Sequence, residues 1–187
     1  MQPATDGRVQ RGERNRAAIV DALLALLEDG VRRPSARQIA ERAEVSLRSV
    51  FQHFDDMESL YAECVRRQHE RVTPLLTPID VDAPLEERIE AVVVQRSRVF
   101  ERIAPIRRAA VQAAAESPVL RNGLAATAKR FREQTAAVFA AEVDDELLSV
   151  VDLVTSFDAW EQLRTTQKLS VTNARRVMVR ALKELMR

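Results

Sequence analysis

The sequence predicts an all-α protein, a three-helix head built on a helix-turn-helix followed by a larger helical domain. Three observations lead there. The 187 residues include only 4 glycines, few aromatics, and much Ala, Leu, Glu and Arg. This composition favours helix over sheet. Apolar residues recur at helical spacing in each long segment. Finally, the stretch Ser35 to Phe54, SARQIAERAEVSLRSVFQHF, divides into two short helices, each opened by its own serine.

Taken in order, residues 1–13 carry Arg8 and Arg11 among Gly7 and Gly12, ahead of Arg14, and have no apolar h-region. They are expected to form a flexible basic arm rather than a signal peptide. Such an arm either reaches a minor groove or contacts nothing. Asn15 to Asp29 places Ile19, Ala22, Leu23, Leu26 and Leu27 on a narrow stripe, and Gly30 follows in the position that ends helices. Ser35 with Gln38 three residues later fits a capping box, in which the serine oxygen takes the Gln38 amide and the glutamine side chain reaches back to the cap. The next helix therefore starts near Ala36, with Ile39, Ala40 and Ala43 on its inner face. Val45 fills the turn and Ser46 caps the following helix. Val50 and Phe54 face the core, which leaves Leu47, Arg48, Ser49, Gln52 and His53 for other faces.

Asp55 and Asp56 supply acceptors for a helix running to about Val72, with Leu60, Tyr61, Cys64, Val65 and Gln68 inward. Pro74 and Pro78 end it. Five further helices are expected. One spans Asp82 to Arg102, and a short one opens at Pro105 and runs through Ala115. A long one from Ser117-Pro118 continues toward Glu142, and another spans Glu146 to Lys168. A last helix, after Ser170, places Val171, Ala174, Val177, Met178, Ala181, Leu182 and Leu185 on one stripe. The Glu146 to Lys168 segment is apolar on more than one face, so it needs two partners. Either it is the central helix of a monomer, or it and the last helix form a four-helix bundle with a two-fold mate.

Val45-Ser46 leading into Phe51-Gln52-His53-Phe54 and then Asp55-Asp56-Met57-Glu58-Ser59-Leu60 resembles the TetR family of bacterial transcriptional regulators. The resemblance covers roughly Arg14 to Tyr61, and beyond that it is one of layout. It implies a helix-turn-helix DNA-binding domain over 14–55 and a helical effector-binding and dimerisation domain over 56–187. Three residues depart from the family pattern. Glu44 stands where a turn glycine is usual, which puts a Cβ at positive φ at a cost of roughly 1 kcal/mol. Phe51 replaces a tyrosine and so lacks a hydroxyl for phosphate. Met57 replaces a lysine, which moves the phosphate role toward Arg48 or Arg37.

The overall charge of +1 points to no partner, but Val31 to Phe54 holds five arginines against two glutamates, a surplus of three. Lysine is confined to Lys129, Lys168 and Lys183. That bias suits guanine and phosphate recognition, and a GC-rich genome would produce it equally. The candidate DNA-binding residues are Ser35, Arg37, Gln38, Ser46, Leu47, Arg48, Ser49, Phe51, Gln52 and His53. Arg48, Ser49 and Gln52 are assigned to base edges. Ser35, Arg37, Gln38, Ser46, Phe51 and His53 are assigned mainly to positioning on phosphates, although His53 could equally cap a neighbouring carbonyl.

In the helical domain the resemblance implies a ligand pocket, with Phe100, Ile103, Phe131, Phe139, Phe157 and Trp160 as its candidate lining. A packed core would use the same residues. Asp152 and Asp158 interrupt the apolar helix, and an inward aspartate would favour a cationic or hydrogen-bonding effector.

No glycine-rich phosphate loop can be built, and His53, His69 and Cys64 lack ligand spacing, so neither catalysis, a cofactor nor a metal is expected. The lone Cys64 fits a reducing cytoplasm, and no apolar run approaches ~20 residues. The reading is therefore a cytoplasmic homodimeric regulator, a repressor released from a pseudo-palindromic operator by a small-molecule effector. The rival is a helical small-molecule-binding protein or enzyme with a degenerate head, supported by Glu44, Phe51 and Met57.

Overall fold

The computed structural model describes residues 5–187, with side chains from residue 9 onward, and the described elements are all helical. They run in the order α1 (Thr5–Glu28), α2 (Ala36–Arg42), α3 (Leu47–His53), α4 (Met57–Val72), a 3₁₀ turn (Thr73–Leu75), α5 (Leu85–Ala113), α6 (Pro118–Val138), α7 (Asp145–Val154), α8 (Phe157–Glu161), a π turn (Gln162–Thr166) and α9 (Val171–Leu185). No helix among the described residues is long and apolar enough to cross a membrane. The chain divides into two compact units. One runs up to Arg71 and includes Ala104–Leu124, and the other comprises Val72–Ile103 with Ala125–Arg187.

The first unit is organised around α1. Ile19, Leu23 and Leu26 are buried as the spacing predicts, but so are Val20 and Leu24, and the buried face is wider than a stripe. The width follows from α1 packing on both α2 and α3 while Leu60 and Cys64 of α4 join the same apolar cluster. Asp21 on α1 accepts from Arg67 at 3.2 Å and Arg71 at 2.9 Å on α4. Helix α1 also begins at Thr5, ten residues before the expected start at Asn15. Its first turns are polar, so hydrophobic periodicity carries no signal for them. The expected arm is thus helical from Thr5, and its residues 1–4 lie outside the described residues.

Helix α4 opens on a reciprocal cap, with Ser59 N donating to Asp56 Oδ1 at 2.7 Å and Asp56 N to Ser59 Oγ at 3.3 Å. It is tied to the start of α6 twice. Glu58 Oε2 accepts from Val119 N at 3.2 Å, which places a carboxylate at a helix N-terminus. Gly123 lies where a Cβ would come within 3.1 Å of Val65, so only glycine admits this approach without displacement.

In the second unit, Ile89, Val92, Val93, Phe100, Phe139, Val151, Trp160, Ala174, Met178 and Leu182 are buried. Arg88 closes the end of α6 by donating to Val138 O at 2.7 Å and to both oxygens of Glu142 at 2.9 and 2.5 Å. Glu101 accepts from Trp160 Nε1 at 2.9 Å and Arg164 Nε at 2.9 Å, holding α5 to the α8 region.

Two expected boundaries are corrected. Pro105 does not open a new helix but sits inside α5. Burial of Ile103, Ala104, Ile106 and Ala109 on both sides of it sustains the helix against one lost donor. The expected single helix over 146–168 is instead α7, α8 and a π turn. Thr155 returns its hydroxyl to Val151 O at 2.9 Å, and Ser156 Oγ caps a new start by accepting from Ala159 N at 3.1 Å. Side chains that bond the local backbone compete with the ladder they interrupt.

Candidate nucleic-acid interface

The turn between α2 and α3 sets the geometry of the site. Glu44 has φ 55°. The N–H of Glu44 donates to Glu41 O at 3.2 Å and that of Val45 to Ala40 O at 3.0 Å. These two bonds make a Schellman ending for α2, and they require a left-handed residue at Glu44. Val45 packs back on the cluster that contains Ala40. The chain thereby reverses in four residues and delivers Ser46 to start α3.

Both caps form as the sequence predicts. Gln38 N donates to Ser35 Oγ at 3.3 Å and Ser35 N to Gln38 Oε1 at 2.9 Å, the complete capping box. Ser49 N donates to Ser46 Oγ at 3.1 Å. Val50 and Phe54 are buried and pin α3 to the head core. Their burial turns Leu47, Arg48, Phe51 and Gln52 outward, with Ser49 and His53 half-buried at the edges. The Phe51 ring is 52% exposed, a large apolar surface that the fold leaves uncovered. Ser35, Arg37, Gln38 and Ser46 are exposed as well. All ten candidate residues thus lie on α2, α3 or their caps, with two helix N-termini among them. Met57, by contrast, packs against the head core.

The charges divide into engaged and free. Arg42 pairs with Asp29 at 2.8 Å and Arg33 with Glu116 at 3.6 Å. Arg37 and Arg48 have no carboxylate partner among the described residues, so their guanidinium groups are available to phosphate or to a guanine edge.

Arg16 is a positioning residue that sequence reasoning missed. Its Nη1 donates to His53 O at 2.7 Å, its guanidinium lies 4.3 Å from the Phe54 ring centroid, and Glu63 of α4 is 3.8 Å away. It therefore satisfies an orphan carbonyl at the C-terminus of α3 with a positive charge. A polar residue on a polar stretch of α1 gives no pattern from which this role could be read.

Three of the candidate ligand residues come together within the second unit. Phe100 packs edge-on against Phe131 at 5.6 Å and against Phe157 at 5.5 Å between ring centroids. Ile103, Phe139 and Trp160 are buried in the same unit. Asp158 faces solvent, and Asp152 is partly exposed beside Arg132 at 3.7 Å. An open groove of about 800 Å³ lies elsewhere on this unit, lined by Val93, Val94, Val177, Arg176 and Arg180. No group of three or more His, Cys, Asp or Glu among the described residues could hold a metal ion.

Residues 19–64 match the model of the bacterial regulatory proteins of the tetR family. No curated protein matches the chain. Among solved structures, a tetR-family transcriptional regulator from Streptomyces coelicolor superposes with a TM-score of 0.75 at 17% identity, over 92% of this chain and 80% of its own. A transcriptional regulator from Rhodococcus sp. Rha1 gives 0.70 at 20% identity, over 93% and 95%. The multidrug binding protein EbrR complexed with ethidium gives 0.60 at 23% identity, over 92% and 99%. At these identities the likeness to the solved structures is one of fold.

Proposed function

We propose that this chain, a TetR-family DNA-binding transcriptional regulator by the match over its head and by its fold, is a homodimeric repressor that a small-molecule effector releases from a pseudo-palindromic operator. One observation carries the DNA-binding half of this reading. The outer face of α3 presents Arg48, Gln52 and the Phe51 ring to solvent, flanked by the exposed Arg37 and by two serine-capped helix N-termini. A helix of that size fits a major groove. Arg and Gln read guanine and adenine edges, while helix N-termini and arginine hold phosphates.

Dimerisation is supported by the apolar surface of the second unit. Helices α7 and α9 pack together, yet Leu153 is 67% exposed, Val150 38% and Val177 45%. Covering these side chains against a two-fold copy removes them from water and places two recognition helices on one duplex, about 34 Å apart or a multiple of it.

The effector reading rests on the aromatic cluster around Phe100 and on the fold neighbour that binds ethidium. Helix α6 contributes Pro118–Leu124 to the first unit and its remainder to the second. In the first unit it meets α4 through Glu58 and Gly123. An effector that favours one position of α6 would move α4, and with it the spacing of the heads.

The test is footprinting of the full chain on the DNA upstream of its own gene. Two protected half-sites related by a dyad are expected. Uniform, sequence-independent protection would refute the reading.

A further inference from the structure

We propose that Arg96 receives the oxyanion of an anionic effector, one that carries a carboxylate on an aromatic body and seats that body against Phe100, Phe131 and Phe157. The proposal rests on the regulator reading and gives its effector a chemical class.

Arg96 projects from the middle of α5 and is fully buried. Its Nη2 donates to Phe131 O at 2.7 Å and to Thr135 Oγ1 at 3.1 Å, both on α6. Nε and Nη1 are shielded from water and have no hydrogen-bond partner among the described residues. Three N–H bonds of a guanidinium are therefore unmade, since Nε carries one hydrogen and Nη1 two. A buried charge left in this state is strongly unfavourable. The internal counter-charge is incomplete. Asp152, whose field reaches Arg96, lies beside Arg132 and accepts no hydrogen bond from Arg96. Burial pushes the guanidinium down to about 9, which still leaves it protonated at neutral pH.

The surroundings define the rest of the ligand. The guanidinium lies 3.9 Å from the Phe131 ring centroid, and Phe131 packs on Phe100, which packs on Phe157. A buried cation against the first of three rings packed in series complements an aromatic carboxylate, and it repels an aromatic cation. Access has a structural candidate. Phe157 belongs to α8, a five-residue helix set between the Thr155–Ser156 break and the π turn. So short a helix gives way more readily than the long helices around it, and π turns often mark functional positions.

The experiment uses the full chain with benzoate, its neutral analogue benzamide and its cationic analogue benzamidine, each at about 1 mM, by calorimetry and thermal shift. Benzoate is expected to bind saturably and raise the melting temperature, with benzamide and benzamidine silent. Arg96→Met, which removes the charge and keeps the bulk, should weaken benzoate at least about tenfold, and Arg96→Lys should retain part of the affinity. The lysine variant decides the matter if the methionine variant does not fold. Benzoate bound equally by wild type and variant, no saturable binding by wild type, or equal binding of all three probes overturns the proposal. Operator retention by the ligand-free protein tests the regulator reading separately, so if retention persists while benzoate fails, only the anion assignment falls.

Discussion

Glu44→Gly should stabilise the head, and the gain can be worked from the turn. Glu44 occupies the left-handed position of the α2 ending with φ 55°. A side chain there costs about 1–2 kcal/mol, and glycine avoids that cost while losing about 0.5–1 kcal/mol through the greater freedom of the unfolded chain. The net gain is about 0.5–1 kcal/mol. A further few tenths come from removing a negative charge at a helix C-terminus. Glu44→Ala separates the two contributions, because it removes the charge and keeps the Cβ. For a chain of this length, about 1 kcal/mol moves the melting temperature by roughly 2–4 °C. Urea denaturation and thermal melting of wild type, Glu44→Ala and Glu44→Gly should rank in that order of increasing stability. A glycine variant less stable than the alanine one would mean that the turn is not strained, and the Schellman reading of residues 40–45 would be wrong.

Leu153→Asp should leave the monomer folded, because the side chain is already mostly in water, and should raise the dissociation constant of the proposed dimer by at least about a hundredfold in sedimentation experiments; equal self-association of wild type and variant would contradict the proposed interface. Cys64 should resist thiol reagents at neutral pH until the protein unfolds, since burial pushes its thiol up to about 12, and rapid labelling of the native protein would contradict that burial. Arg88 holds the Glu142 carboxyl below its ordinary value of 4.5 through their hydrogen bond. The folded value is the lower one, so the pair's stabilisation is complete above about pH 4.5 and is lost as pH falls through the lowered value. Glu142→Gln should remove about 1.5–3 kcal/mol near pH 6 and flatten that acid limb, and an unchanged acid limb would show that the pair is not coupled to folding.

The head was legible because its signals are local. Ser35 with Gln38 and Ser46 with Ser49 fix helix starts within four residues, and Val50 and Phe54 fix the inward face of α3. Glu44 was readable as strained only through the family resemblance, which implies a glycine at that turn, and its φ of 55° agrees. The rest failed where tertiary context decides. Pro105 reads as a break, yet burial on both sides carries α5 through it. Ser156 could have been read as a cap, but it stands in an apolar run that spacing joins into one helix. Arg16 and Arg96 left no trace at all. A lone arginine reads as surface charge, and only the fold shows one closing the end of α3 and the other buried beneath Phe131.

The central claim is that the exposed face of α3 reads base sequence. Gel retardation of Arg48→Ala and Gln52→Ala on the protected upstream duplex and on a scrambled duplex of equal length tests it most directly. Each variant should lose about 1–3 kcal/mol of affinity for the upstream duplex, roughly ten- to a hundredfold, with a much smaller loss on the scrambled one. Equal losses on both duplexes, or a wild type that does not distinguish them, would contradict it.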